Sequence, residues 1–262
     1  MQNCSSKKKI GAILLDDGKF PYEIYNVPFI NTWLADHSLE NAEYVLICAG
    51  KDTGDTGNAT GVELCERATA DDVLSTAARQ LANNGCRSVV LACTSGSFFR
   101  GLQYAQRQIQ LLSECAGAPA SSTAMAFLAA LDVLGAKRVD ILSPYEPEIT
   151  NLFVMFLSDA GVSVGSIRMY TPSGRDFDID CEAELAELVS STPFSDDPIL
   201  IPCTAISSLK RVESFEDMSG RMVITANQVT LWHALVLAGL TPSIADSGSF
   251  FRSYAQMNHT PG

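Results

Sequence analysis

The feature that most constrains this chain is a corner that it uses twice. Leu91–Ser97 (LACTSGS) and Ile201–Ser208 (IPCTAISS) each carry an apolar run into Cys-Thr and then into small hydroxyl residues. The runs that lead in, Ser88–Ala92 (SVVLA) and Pro198–Pro202 (PILIP), are short and continuously apolar. That pattern predicts strands buried on both faces, as in a parallel sheet. Each cysteine also precedes a stretch able to open a helix. A thiol in that place meets unpaired backbone N–H groups and the positive end of a helix dipole, which favour thiolate and make a cradle for a carboxylate.

The rest of the chain alternates strand and helix. Ile10–Leu15 and Tyr44–Ala49 read as strands, Ala70–Asn83 as an amphipathic helix, and Ser88–Ala92 as the strand that delivers Cys93. A helix is expected from Phe98 or Gly101 to Cys115, and another over Ser122–Leu134 that stops at Gly135. The pattern then restarts. Lys137–Ser143 (KRVDILS) is basic then apolar, as Lys8–Leu14 (KKIGAIL) is. Helices over Glu148–Ala160 and Glu182–Ser190 follow, then the strand before Cys203, a strand over Arg221–Thr225, and a helix over Gln228–Ala238 that stops at Gly239. The expected fold is therefore α/β, with two pseudosymmetric Rossmann-like domains built on parallel sheets. The first half takes residues 1–118 plus 225–262 and the second 119–224. Parallel sheets bind ligands at the carboxyl ends of their strands, where both cysteines fall, so the expected site is a cleft between the halves.

Composition narrows the function classes. The net charge of −12 over 262 residues opposes nucleic-acid binding, and the basic cluster Lys7-Lys8-Lys9 reads as a solvated lead-in to the first strand. No apolar run approaches the ~20 residues of a membrane helix, and the N-terminus lacks the apolar segment of a signal peptide. The expectation is a cytoplasmic protein without membrane or nucleic-acid partners; a homo-oligomer stays open. Eight cysteines without close CxxC pairs read as reduced thiols, and His37, His233 and His259 are too far apart for a metal site. His233 reads as a core histidine.

Taken together, Cys93-Thr94-Ser95-Gly96-Ser97, Tyr145 in Ser-Pro-Tyr, Cys203-Thr204 and Thr225–Leu235 (TANQVTLWHAL) resemble the aspartate/glutamate racemase superfamily, in the branch of maleate cis-trans isomerases and arylmalonate decarboxylases. The resemblance spans nearly the whole chain. It implies an interdomain cleft, a small carboxylic acid as substrate, and neither metal nor organic cofactor. It also implies Cys93 and Cys203 as the catalytic pair, with Thr94, Ser95, Tyr145 and Thr204 binding and polarising the substrate carboxylate. Two departures matter. The decarboxylases carry a small residue where this chain has Cys93, and the isomerases carry Asn-Thr after the first strand, where this chain has Leu15-Asp16-Asp17-Gly18.

One cysteine on each face of a bound acid lets one thiolate take the α-proton and the other thiol return it from the opposite side. On an alkene diacid, a thiolate can instead add, allow rotation and leave. The residues thus point to a cofactor-independent isomerase or racemase of a small carboxylic acid, nearest to maleate cis-trans isomerase. The alternatives are an arylmalonate-type decarboxylase, favoured by Phe98–Gly101 (FFRG), an amino-acid racemase, and a small-acid binding protein without catalysis. Asp16 enters the candidate site as a residue that orients a thiol or meets a substrate ammonium, or else caps a turn with Gly18.

Overall fold

The computed structural model describes residues 7–15, 23–49, 61–170, 181–192, 195–242, 244 and 246–258. Its first half runs β1 (Lys8–Leu15), a 3-10 turn (Glu23–Tyr25), α1 (Val27–Asp36), β2 (Ala42–Ala49), α2 (Gly61–Ala68), α3 (Asp71–Asn83), β3 (Cys86–Leu91), α4 (Thr94–Phe98), α5 (Gly101–Ala116) and β4 (Ala120–Ser122). There follow α6 (Thr123–Leu134), β5 (Arg138–Ser143), α7 (Pro147–Asp159), β6 (Ser163–Met169), α8 (Cys181–Ser191), β7 (Ile199–Ile201), α9 (Val212–Ser219), β8 (Val223–Thr225), α10 (Ala226–Leu237) and α11 (Ser249–Asn258).

The strands form two four-stranded parallel sheets of matching order, β2-β1-β3-β4 and β6-β5-β7-β8. Cys93 follows β3 and Cys203 follows β7, so the repeated corner occupies the same place in each sheet. The expected α/β architecture with two pseudosymmetric halves is what the chain adopts. Both cysteine-bearing strands are inner strands, and their residues Val89–Leu91 and Ile199–Ile201 are almost fully buried, which explains their unbroken apolar character.

Local signals set the element ends. Ser122 caps α6 by accepting from the Met125 N–H at 3.4 Å, and Gly135 closes the helix in the left-handed conformation that glycine adopts without strain. Asp71 and Asp72 in the first turn of α3 favour the positive end of its dipole. Lys8 is more than a lead-in: its ammonium donates to the Gly239 carbonyl at 2.7 Å, closing the end of α10.

The two halves share one core. A continuous apolar cluster runs from Ile10, Ala12 and Leu14 of β1 through Ala126, Phe127 and Ala130 of α6 and Val229 and Leu235 of α10 to Val139, Ile141, Leu200 and Ile224 of the second sheet. α6 and α10 follow equivalent strands and touch through the hydroxyls of Thr123 and Thr230, 2.8 Å apart. α10 is buried over most of its surface, with only His233, Val236 and Leu237 partly exposed, which is why its sequence shows no charged face. It lies against the first sheet, where the Ala234 carbonyl accepts from Ser88 at 2.7 Å and the His233 ring meets the Ser121 hydroxyl at 2.9 Å.

Candidate active site

Cys93 is the extended residue immediately before α4, and the next four residues form the corner around it. Ser97 ties that corner down: its hydroxyl lies 2.7 Å from the Cys93 carbonyl and 2.9 Å from that of Thr94, and accepts from the Ala124 N–H at 3.2 Å. The Gly96 carbonyl accepts from the Gln108 amide of α5 at 3.0 Å. A methyl group at Gly96 would stand 3.0 Å from the Cys93 sulfur and 2.9 Å from the Thr69 methyl. The glycine lets the sulfur lie against the backbone.

The helix-dipole expectation holds only in part at Cys93. The Gly96 N–H and the Ser95 hydroxyl do favour its thiolate, and Ser95 Oγ lies 3.9 Å from the sulfur. Burial outweighs them and pushes the thiol up to about 12, with the neighbouring Cys65 and Cys203 thiols adding to the rise. The low-pKa thiol expected from the sequence is therefore not what the free protein presents. A helix as short as α4 supplies little dipole against removal from water.

At Cys203 the expected helix is absent. Thr204–Arg211 is a run of turns, and α9 begins only at Val212. The Ile206 N–H turns back to the Cys203 carbonyl at 3.3 Å, whereas the N–H groups of Ser208 and Leu209 point out of the loop to a side chain distant in sequence. Cys203 is buried and Thr204 half-buried.

Tyr145 joins the two corners. It follows β5, and its phenol donates to the carbonyl of Pro202, the residue before Cys203. Burial keeps the phenol protonated, and the neighbouring thiols Cys203 and Cys93 reinforce this. The Thr94 hydroxyl acts in the opposite sense, towards the ionised phenol. One aromatic hydroxyl thus faces both cysteines and Thr94. Behind it stands the fully buried Phe98 ring, edge-on at 6.2 Å, backed by Phe153 at 4.9 Å from Phe98. Thr94 itself is 1 % exposed, and among the described residues its Oγ1 makes no hydrogen bond of ordinary geometry. A buried hydroxyl left without a partner costs about 1–3 kcal/mol, which a ligand oxygen at the same spot would recover.

Six of the seven sequence-predicted site residues can therefore be placed. Cys93, Thr94 and Ser95 form the first corner, Cys203 and Thr204 the second, and Tyr145 stands between; Asp16 lies outside the described residues. Arg100 is not in the site, since it pairs with Glu66 at 2.7 Å on the surface. His233 is half-buried with its ring on the Ser121 hydroxyl, and burial pulls its pKa down to about 4. Cys65 escaped sequence reading. It lies on α2 and shares Ser95 with Cys93, a contact made by packing without any local motif. Among the described residues, no group of three or more His, Cys, Asp or Glu is placed to hold a metal ion, and no helix is long and apolar enough to cross a membrane.

Comparison with known proteins agrees with this geometry. A maleate isomerase of Geobacillus stearothermophilus is 25% identical over 187 residues, covering 68% of this chain and 74% of that protein. The arylmalonate decarboxylase of Bordetella bronchiseptica is 25% identical over 166 residues, covering 62% and 69%. Among solved structures, a Nocardia farcinica maleate cis-trans isomerase mutant with a covalently bound succinylcysteine intermediate superposes with a TM-score of 0.74 at 17% identity, covering 94% of this chain and 99% of that one. Residues 59–251 match the family described as arylmalonate decarboxylase, and isomerases and decarboxylases both stand among the relatives. With two like halves, a cysteine at the same corner of each and a family match over most of its length, the chain belongs to the arylmalonate decarboxylase family of enzymes.

Proposed function

We propose that the chain is a cofactor-independent isomerase or racemase of a small carboxylic acid, with Cys93 and Cys203 as its working pair and maleate cis-trans isomerisation as its nearest named activity. The observation that carries this reading is that the sulfurs of two equivalent corners both act on the same phenol, Tyr145, and that Cys203 adds to the cost of ionising Cys93. Neighbouring like charges disfavour two thiolates at once, so the pair carries at most one charge. One thiolate and one thiol are what a two-sided reaction needs.

In the racemase form, one thiolate takes the α-proton, and the C–H electron pair moves into the carboxylate to give an enediolate. The opposite thiol then returns a proton to the other face. In the isomerase form, the thiolate bonds to one alkene carbon, and the π electrons pass to the neighbouring carbon and its carboxylate. Rotation about the new single bond follows, and the electrons re-form the double bond as the C–S bond breaks. A neighbour in structure carries a succinylcysteine, the adduct such an addition produces. Thr94 Oγ1 and the Ser95 and Thr204 hydroxyls are the donors assigned to the carboxylate, joined by the Tyr145 phenol once it turns from the Pro202 carbonyl, since developing charge is best met by groups already close to their place.

Arylmalonate-type decarboxylation is the second reading, favoured by the family match and by the apolar wall of Phe98 and Phe153 beside Tyr145. It needs one thiol, Cys203, as proton donor after carbon dioxide leaves, and it gives Cys93 no task. The test is incubation in deuterated water with maleate, aspartate, glutamate and an arylmalonate, followed by proton NMR. Fumarate from maleate, or α-deuterium with loss of optical purity, supports the proposal. Carbon dioxide release with one deuterium incorporated transfers it to the second reading.

A further inference from the structure

The N–H groups that the Cys203 corner does not use for a helix are taken by Glu23. Its Oε1 accepts from the N–H of Ser208 at 2.6 Å, from the N–H of Leu209 at 3.0 Å and from the Asn227 amide at 2.7 Å; Oε2 lies 3.4 Å from the Leu209 nitrogen. Asn227 in turn donates to the Ile206 carbonyl at 2.9 Å, so its amide clamps the same loop a second time. The Ser208 hydroxyl donates to Thr225 at 2.8 Å. The loop between Cys203 and α9 is thus held by a carboxylate that lies 185 residues away in sequence.

The turn that carries Glu23 is fastened equally well to the first half. The Ile24 carbonyl accepts from the Tyr44 hydroxyl at 2.9 Å, and the Tyr25 hydroxyl donates at 2.5 Å to the carbonyl of Leu15, the last residue of β1. The Leu15 side chain lies within 3.3 Å of the point where a Gly96 methyl would stand, against the Cys93 corner. Residues 23–25 therefore form a strap. One end is anchored beside Cys93 and the other on the loop that follows Cys203.

We infer that Glu23 is a positioning residue, whose carboxylate holds the Ser208–Leu209 backbone and so sets Cys203 at working distance from Cys93. Charge-assisted bonds of this kind are stronger than neutral ones, and three donors converge on one oxygen. The anchor also means that the Ser208 and Leu209 N–H groups are filled from within the chain. The substrate carboxylate falls to the donors at Thr94, Tyr145 and Thr204. Two-thiol chemistry depends on spacing more steeply than binding does, because a displacement of about 1 Å costs on the order of 10²-fold in rate.

The inference rests on Cys93 and Cys203 acting as a pair, and its test separates the two claims. Amide hydrogen exchange on the intact protein reads the strap without any substrate. In Glu23→Ala the Ser208 and Leu209 amides are expected to exchange at least about tenfold faster, while those of β1 and β3 keep their protection. Glu23→Gln, which retains the carbonyl oxygen, restores most of that protection. Turnover of whichever acid the NMR panel identifies follows the same order: kcat falls by about 10²-fold in Glu23→Ala with KM changed much less, and Glu23→Gln recovers to within about tenfold of the parent. Unchanged exchange at Ser208 and Leu209 in Glu23→Ala overturns the strap. So does a uniform loss of protection across both sheets, or a Gln variant no better than Ala. If exchange behaves as expected and no acid turns over, the strap stands and the pairing of the cysteines is what fails.

Discussion

Replacing Gly96 by alanine separates the geometry of the Cys93 corner from the stability of the fold. The added methyl would stand 2.9 Å from Thr69 Cγ2, 3.0 Å from Cys93 Sγ and 3.3 Å from Leu15 Cδ1. Ordinary contact begins at 3.4 Å, so the sulfur has to retreat by about 0.4 Å or more. Alanine in a helical position gains about 1 kcal/mol over glycine, and overpacking costs about 1–3 kcal/mol, so the net destabilisation is about 0–2 kcal/mol. The chemistry loses more. If 1 Å of misplacement costs on the order of 10²-fold, a shift of this size costs about tenfold, with the backbone N–H at position 96 still present. The assay is the rate of iodoacetamide labelling at Cys93, resolved by peptide mass spectrometry with Cys203 as internal reference, together with turnover and the urea midpoint. Gly96→Ala is expected to slow labelling of Cys93 relative to Cys203 and to lower kcat about tenfold in a folded protein. Parental labelling and turnover in the variant would refute the close approach on which the corner depends.

Three further outcomes follow from the same geometry. Thr94→Val removes a buried hydroxyl that makes no hydrogen bond of ordinary geometry among the described residues, so stability is expected to hold or rise by about 1 kcal/mol while kcat/KM drops tenfold or more; equal losses in both would mean Thr94 is structural. Since burial raises the Cys93 thiol to about 12, its labelling rate should keep climbing with pH beyond the point, near pH 9, where an ordinary thiol levels off; a plateau below pH 9 contradicts the burial. His233 is held neutral with a folded pKa of about 4 against an unfolded value of about 6.5, so the unfolded chain binds the extra proton between those values. Stability is therefore full above pH 6.5 and declines as pH falls towards 4, by about 2 kcal/mol between pH 7 and 5, as read from urea midpoints. The variant His233→Gln should lose that part of the acid sensitivity.

The fold was legible where local chemistry and tertiary packing agree. The repeated Cys-Thr corner placed both cysteines after equivalent inner strands, and Ser122 and Gly135 bounded α6 as their types require. β4 was not legible, because Ala120–Ser122 has no apolar run and becomes a strand only by pairing with Val89–Leu91. β6 was hidden in another way: its Gly165 and Arg168 interrupt the pattern of a half-exposed edge strand. After Cys203 the hydroxyl-rich run reads as a helix start, yet Glu23 and Asn227 take up its backbone groups and leave a loop. The same limit applies to the thiols. Sequence places Cys93 before a helix, but only the packed neighbours, Cys65 among them, decide how costly its charge is. What local patterns conveyed was the position of the site, and what they missed were the partners brought there by topology.

The central claim is that two sulfurs act together, and exchanging each for oxygen tests it most directly. Cys93→Ser and Cys203→Ser would be assayed side by side with the parent protein on the acid that the NMR panel identifies. Each variant is expected to lose turnover by at least about 10³-fold while keeping the parental urea midpoint within about 1 kcal/mol, since hydroxyl replaces thiol as a poor acid and nucleophile at the same place. Full turnover in Cys93→Ser, with loss confined to Cys203→Ser and carbon dioxide as product, would contradict the paired mechanism and leave a decarboxylase that works with one thiol.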